Sequence, residues 1–199
     1  MSEETYGIAD DQPLSDVTRD RFRVAPFAQR IADAIVSTTP RTGTVLGLHG
    51  PWGIGKSTIL NFIRREILSQ QAKGVRVIPF NPWWFGEQED LVRGFFSELS
   101  AALGSRSERN RKLRNRLAEY ATLVGDVPLP YFGVAKTAAG LVKPRARSVS
   151  KAREDLEQLM SAAGGLTVVI MDDIDRLTSD EVQHVFRLIK SVGNLPGLV

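Results

Sequence analysis

The stretch Gly50-Pro51-Trp52-Gly53-Ile54-Gly55-Lys56-Ser57 constrains this chain more than any other. It fits the pattern G-x-x-x-x-G-K-[ST] at every fixed position. Its surroundings suit the pattern as well. Thr44-Val45-Leu46-Gly47-Leu48 reads as a short buried strand leading into the turn. From Lys56 to about residue 69, Ile59, Ile63 and Ile67 recur every four residues, as one face of a helix requires. A strand, a glycine-rich turn and a helix together make a phosphate-binding loop. Glycines let the backbone curl until successive N–H groups converge on phosphate oxygens. The first turn of the helix adds its positive end. On this reading Gly50, Trp52, Gly53, Ile54, Gly55, Lys56, Ser57 and Thr58 surround a nucleotide. Lys56 reaches the β- and γ-phosphates, the Ser57 hydroxyl ligates Mg2+, and Thr58 sits near the α-phosphate. At average glycine usage the pattern arises by chance in about one chain of this length per hundred, and the flanking elements make chance a poorer explanation still. A dinucleotide fingerprint is excluded, because position 58 is Thr where G-x-G-x-x-G starting at Gly53 needs glycine.

Such a loop needs a carboxylate beside it to hold the metal ion. Leu166-Thr167-Val168-Val169-Ile170-Met171 is apolar without alternation, the pattern of a strand covered on both faces, and it ends in Asp172-Asp173. Asp172 is the expected Mg2+ ligand, acting through water. Asp173 is the candidate general base that polarises the attacking water. Carboxylates also end many strands and cap the helix that follows, so it is the loop upstream that gives this pair a chemical meaning. Asp175 reads as a turn residue. Arg176 reads as a surface arginine, the alternative being contact with a neighbouring subunit's nucleotide.

The rest of the chain supplies the frame. A helix is expected over 27–37, with Phe27, Ile31, Ala34 and Ile35 on one face. A second strand is expected over 75–80, followed by the aromatic turn Asn81-Pro82-Trp83-Trp84-Phe85. Leu91, Phe95, Leu99 and Leu103 mark another amphipathic helix. The middle reads as less regular. Residues 106–116 carry six basic side chains and one acid. Residues 120–142 are apolar but broken by Gly125, Pro128, Pro130, Gly133 and Gly140. Residues 143–153 carry five basic side chains and no acid. Helices are then expected over 152–163 and 178–192. The last starts with Thr178 and Glu181 spaced as a capping box and buries Val182, Val185, Phe186 and Ile189. Strands alternating with long helices indicate an α/β domain with a parallel sheet.

Composition narrows the chemistry. The absence of cysteine excludes disulfides and thiolate zinc sites, and His49 and His184 alone cannot build a histidine-rich metal centre. A net charge of +3 does not by itself imply nucleic acid. It resolves into an acid-rich start, read as a flexible tail over 1–15, and the two basic stretches. Neither a secretory signal nor a run of roughly 18–20 apolar residues is present, so the default expectation is a cytoplasmic location.

Three segments together resemble the KAP family of P-loop NTPases: the loop at 50–57, Phe80-Asn81-Pro82-Trp83-Trp84-Phe85, and Met171-Asp172-Asp173-Ile174-Asp175-Arg176. The tryptophan inside the loop and the Asn-Pro-Trp-Trp run are the specific parts. The lead-in from Asp20-Arg21-Phe22 to Phe27-Ala28 is also similar to the start of such domains. The resemblance implies a three-layer α/β/α domain over 16–199 with a mostly parallel sheet and an insertion at about 105–150. It implies ATP binding with Mg2+ and ATP hydrolysis, with Lys56 and Asp173 catalytic. It also implies coupling to assembly or signalling through a protein partner or self-association. Family members include a neuronal membrane scaffold and a plasmid-encoded phage-exclusion protein, so bacterial phage defence enters as a role.

Many members carry transmembrane helices between the two nucleotide motifs, but residues 120–142 are too short and too broken for a membrane hairpin. A packed loop between solvated basic helices is the plain reading. Contact with a membrane surface, placing the protein at the inner membrane face, or with nucleic acid are the alternatives. In this branch of phosphate-loop folds the strand after the acidic one lies between it and the loop strand. Here that strand would begin around Pro196-Gly197-Leu198-Val199. The sheet is therefore expected to be C-terminally incomplete, without the sensor residue and arginine finger, and hydrolysis by these 199 residues slow or absent.

Two other functions fit the loop. A small phosphotransferase suits the length, but the Asp172-Asp173 pair, the Asn-Pro-Trp-Trp run and the lack of an arginine-rich lid argue against it. A scaffold could bind nucleotide without turning it over. A GTPase is disfavoured, because no Asn-Lys-x-Asp motif occurs. Trp83, Trp84 and Phe85 read as a core or interdomain cluster, with adenine stacking as the alternative.

Overall fold

The computed structural model describes residues 12–37, 42–104, 107–125 and 148–199. In chain order its elements are α1 (Ala25–Ser37), α2 (Lys56–Ser69), β1 (Val75–Phe80), α3 (Gln88–Leu103), α4 (Glu108–Gly125), α5 (Val149–Ala163), β2 (Leu166–Met171) and α6 (Ser179–Val192). β1 and β2 pair in parallel, Val75 opposite Leu166 through to Phe80 opposite Met171.

Both strands are apolar at consecutive positions because both faces are covered. Successive side chains of a strand point to opposite sides. Val75, Val77, Leu166, Val168 and Ile170 pack with Ala28, Ala32 and Ile35 of α1 and Ile59, Phe62, Ile63 and Ile67 of α2. Ile78, Phe80, Val169 and Met171 belong to a second cluster built from α3, α4, α5 and α6. The result is helix, sheet, helix: the expected three layers.

The other edge of β2 carries the segment 197–199, which runs parallel to it. The Thr167 and Val169 N–H groups donate to the Gly197 and Val199 carbonyls, each at 2.7 Å, and the Val199 N–H returns to Thr167 at 2.9 Å. On its far side the Leu198 carbonyl accepts from the Thr44 N–H at 3.0 Å. Residues 197–199 thus occupy the separating position between β2 and the chain entering the loop. The approach there is close enough that a Cβ at Gly43 would collide with the Gly193 carbonyl.

Several expectations need correction. Thr44–Leu48 does not form a regular strand. Thr44 makes the one ladder bond, while Val45 and Leu46 are exposed. The neighbouring segment 197–199 offers Thr44 one carbonyl, too little pairing and cover to hold an extended ladder. In α1 the buried stripe is Ala28, Ala32 and Ile35, and Phe27 and Ala34 face solvent. That helix starts at Ala25, whose N–H donates to the Asp20 carboxylate at 2.8 Å. In α6 the buried residues are Val185, Leu188 and Val192, with Phe186 exposed. The core meets this helix on the side of Val185 that points away from Phe186. The capping box forms as expected, with the Glu181 N–H donating to Thr178 Oγ1 and the Thr178 N–H to Glu181 Oε2.

The first basic stretch is helical, as the plain reading has it: most of it lies in α4, an 18-residue helix with Leu113, Leu117, Ala118 and Ala121 buried at helical spacing. Tyr120 on the same helix donates its hydroxyl to the Ser191 carbonyl at 2.9 Å, and burial pushes its pKa up. α5 begins at Val149, capped by Ser148. Of the broken apolar stretch over 120–142, residues 120–125 end α4; residues 126–147, which include the start of the second basic cluster, lie outside the described residues. At the other end, Leu14, assigned by sequence to the tail, is held to α2. Its N–H donates to Thr58 Oγ1 at 3.1 Å and its carbonyl accepts from Asn61 at 3.3 Å.

Candidate functional site

The loop takes the backbone path its glycines permit. Gly53 and Gly55 have φ of 80° and 90°, left-handed values that cost a residue with a Cβ about 1–2 kcal/mol. Gly55 is the N-cap of α2 and offers no side-chain acceptor, so the first N–H groups of this 14-residue helix keep their donor capacity for an anion. Lys56 opens the helix and reaches back over the loop. Its Nζ donates to the carbonyls of Gly50 and Pro51, each at 3.2 Å. Ser57 and Thr58 follow, half-buried. Trp52 stands out at the loop tip, 87% exposed, and Ile54 is also exposed.

The carboxylates arrive from β2. The Phe80–Met171 register brings Asn81 and Asp172 out of the sheet side by side. The Asp173 N–H donates to Asp172 Oδ1 at 2.9 Å. Asp173 itself has φ 59°, a left-handed conformation uncommon outside glycine. Both its carboxylate oxygens are engaged, Oδ2 by the Asn81 side-chain amide at 2.9 Å and Oδ1 by Arg176 Nε at 2.7 Å. Asp175 turns toward the loop, and its Oδ2 lies 3.6 Å from Lys56 Nζ. This ion pair brings the two motifs, far apart in sequence, into one site.

The sequence does not single out Asp175 or Asn81 as site residues; Arg176 is the exposed surface arginine it suggests, and its Nε nonetheless reaches the candidate base. Asp175 and Arg176 were at least legible as charges next to the acidic pair. Asn81 sits in a run conspicuous for its aromatics, which hid the amide. Those aromatics divide. Phe85 stacks on Phe80 with ring centroids 5.4 Å apart and belongs to the core, whereas Trp83 and Trp84 are 54% and 73% exposed.

As oxygen donors for a cation the site offers the Ser57 hydroxyl and the Asp172 carboxylate. Among the described residues no group of three or more His, Cys, Asp or Glu could hold a metal ion. Both donors are oxygens, the ligands a small hard cation such as Mg2+ takes alongside water and phosphate.

A left-handed glycine loop at the start of a helix, joined to a carboxylate-ended parallel strand, defines a P-loop NTPase domain. The chain belongs to the KAP family: the family's P-loop domain matches residues 24–199. It is similar to the Phage T7 exclusion protein of Escherichia coli (strain K12), with 26% identity over 216 residues, covering 94% of this chain and 29% of that protein. The chain therefore spans less than a third of this relative's length. No solved structure matches it significantly. Among the described residues no helix is long and apolar enough to cross a membrane.

Proposed function

We propose that this domain binds ATP with Mg2+ and hydrolyses it, serving as a nucleotide-gated switch or assembly module. The observation that supports the reading is the 3.6 Å approach of Lys56 and Asp175, an ammonium of the glycine loop beside a carboxylate of the turn after β2. The N–H groups of the loop and of the first turn of α2 would cradle the phosphates. Lys56 would leave the Gly50 and Pro51 carbonyls for the β- and γ-phosphate oxygens, which accept more strongly because they carry charge. Ser57 and Asp172 would hold Mg2+, which neutralises charge building on the phosphate oxygens. Asp173 would orient water in line with the γ-phosphate and accept its proton. A cytoplasmic setting, a protein partner or self-association, and a part in excluding phage follow from the same reading. The last is suggested by the name of the Escherichia coli relative.

The test is titration with a fluorescent ATP analogue and Mg2+, together with phosphate release. Lys56→Ala should weaken binding by about 100-fold or more. Asp173→Asn should bind nucleotide like the unaltered chain and lose turnover. Equal binding by Lys56→Ala would show the site assignment to be wrong.

A further inference from the structure

Asn81 makes two side-chain bonds, one of which spans 92 residues of the chain. Its Oδ1 accepts the Trp83 N–H at 3.0 Å and so caps the short turn Pro82–Trp84. Its Nδ2 donates to Asp173 Oδ2 at 2.9 Å. Both ends of the amide are in use, and this fixes its orientation. A flip would set the carbonyl oxygen against a carboxylate and the NH2 against an N–H, and both contacts would repel.

The bond also explains how Asp173 keeps its backbone. A left-handed non-glycine residue persists only where its surroundings over-determine it. Arg176 helps, but it is on the same short turn as Asp173 and largely exposed. Asn81 is the tether from outside that turn: it directly follows β1, which is paired with β2 up to Phe80 and Met171. On its other side the tether holds a turn whose two tryptophans face solvent.

We propose that Asn81 is the positioning residue of Asp173 and makes the Trp83-Trp84 turn and the candidate base one mechanical unit. Movement of the exposed aromatic turn then changes the aim of the carboxylate without touching the phosphate loop. The role at turnover rests on the ATPase reading; the coupling itself does not.

Asn81→Asp separates the two bonds. An aspartate at 81 still accepts from the Trp83 N–H but cannot donate to Asp173. It should lower kcat by about tenfold or more while leaving the nucleotide dissociation constant within about threefold, and Asn81→Ala should do the same. Turnover of Asn81→Asp at the unaltered rate would overturn the proposal, as would a loss carried by nucleotide affinity alone. An arm independent of activity uses the 15N-labelled chain. Asp173→Ala should shift both the Asn81 side-chain amide and the Trp83 backbone amide, while Asp180→Ala shifts neither. If Asp173→Ala leaves both signals in place, the coupling is refuted. A chain that does not bind Mg2+-ATP refutes the ATPase reading alone; one that binds it without turnover, as expected of these 199 residues, leaves the two amide signals to decide the coupling.

Discussion

The two halves of the site are built from different materials. The loop at 50–57 works through its main chain: left-handed glycines, helix N–H groups, and Lys56 donating to Gly50 and Pro51 within the loop. The turn at 172–176 works through side chains, with Asp173 held by Asn81 and Arg176, and Asp175 reaching Lys56. Backbone chemistry is local and demands particular residues at fixed spacing. Side-chain chemistry recruits partners from wherever the fold brings them. A substitution in the loop should therefore cost most of the affinity, and one in the turn should change affinity less and act chiefly on Mg2+ dependence and on what happens after binding.

The largest effect that would break this contrast is at Gly55. Gly55→Val places a β-branched residue at φ 90° and should cost the loop about 100-fold in Mg2+-ATP affinity, read by fluorescence titration. Retained affinity would mean that the backbone path is not what binds. Next, Asp172→Ala should raise the Mg2+ concentration for half-maximal nucleotide binding by about tenfold, with little change in binding without Mg2+. An unchanged Mg2+ dependence would remove Asp172 from the donor set.

A smaller effect belongs to the helix that follows the turn. Thr178→Ala removes the cap of α6 and should destabilise the domain by about 1 kcal/mol in chemical denaturation, without altering nucleotide affinity. Its partner Glu181 adds a pH dependence. The Thr178 N–H, and next its hydroxyl, hold the Glu181 carboxyl below the usual range. That contribution is complete above the ordinary carboxylate pKa and fades as pH falls through the lowered value, so amide exchange in the first turn of α6 should quicken in acid.

The smallest effect sharpens the contrast. Asp175→Asn frees Lys56 from a competing anion across the site. The pair is partly exposed, so stability should change by no more than about 0.5 kcal/mol, while nucleotide affinity rises about two- to threefold. A fall in affinity would make Asp175 part of the binding surface.

The same division decides what the sequence could reveal. The loop, β2 and its acidic end, the capping box and the separating place of 197–199 were legible, because each is a local pattern or follows from the order of strands. Thr44–Leu48 has the composition of a strand, yet a strand also needs neighbours, and here it has a single ladder bond. α4 was legible as a basic helix but not in its extent, because Arg109, Arg111 and Lys112 drew the eye from Leu113, Leu117 and Ala121, which repeat at helical spacing. Phe186 is the largest apolar residue of α6, but the direction of the core, not size, selects the buried stripe, and that direction is set by α3, α4 and α5. Asn81 could not be tied to Asp173 before the register of β1 on β2 was known.

The bond from Thr44 to Leu198 has a consequence for synthesis. The chain leading into the phosphate loop is made early, but its hydrogen-bonded neighbour in the sheet is made about 150 residues later. Closing so distant a contact is slow, and it cannot begin before the later segment has left the ribosome. While the chain is still growing, α1 and α2 can pair, but the loop has nothing to anchor its entry. Nucleotide binding should therefore be acquired late and abruptly, when residues 197–199 slide in along β2.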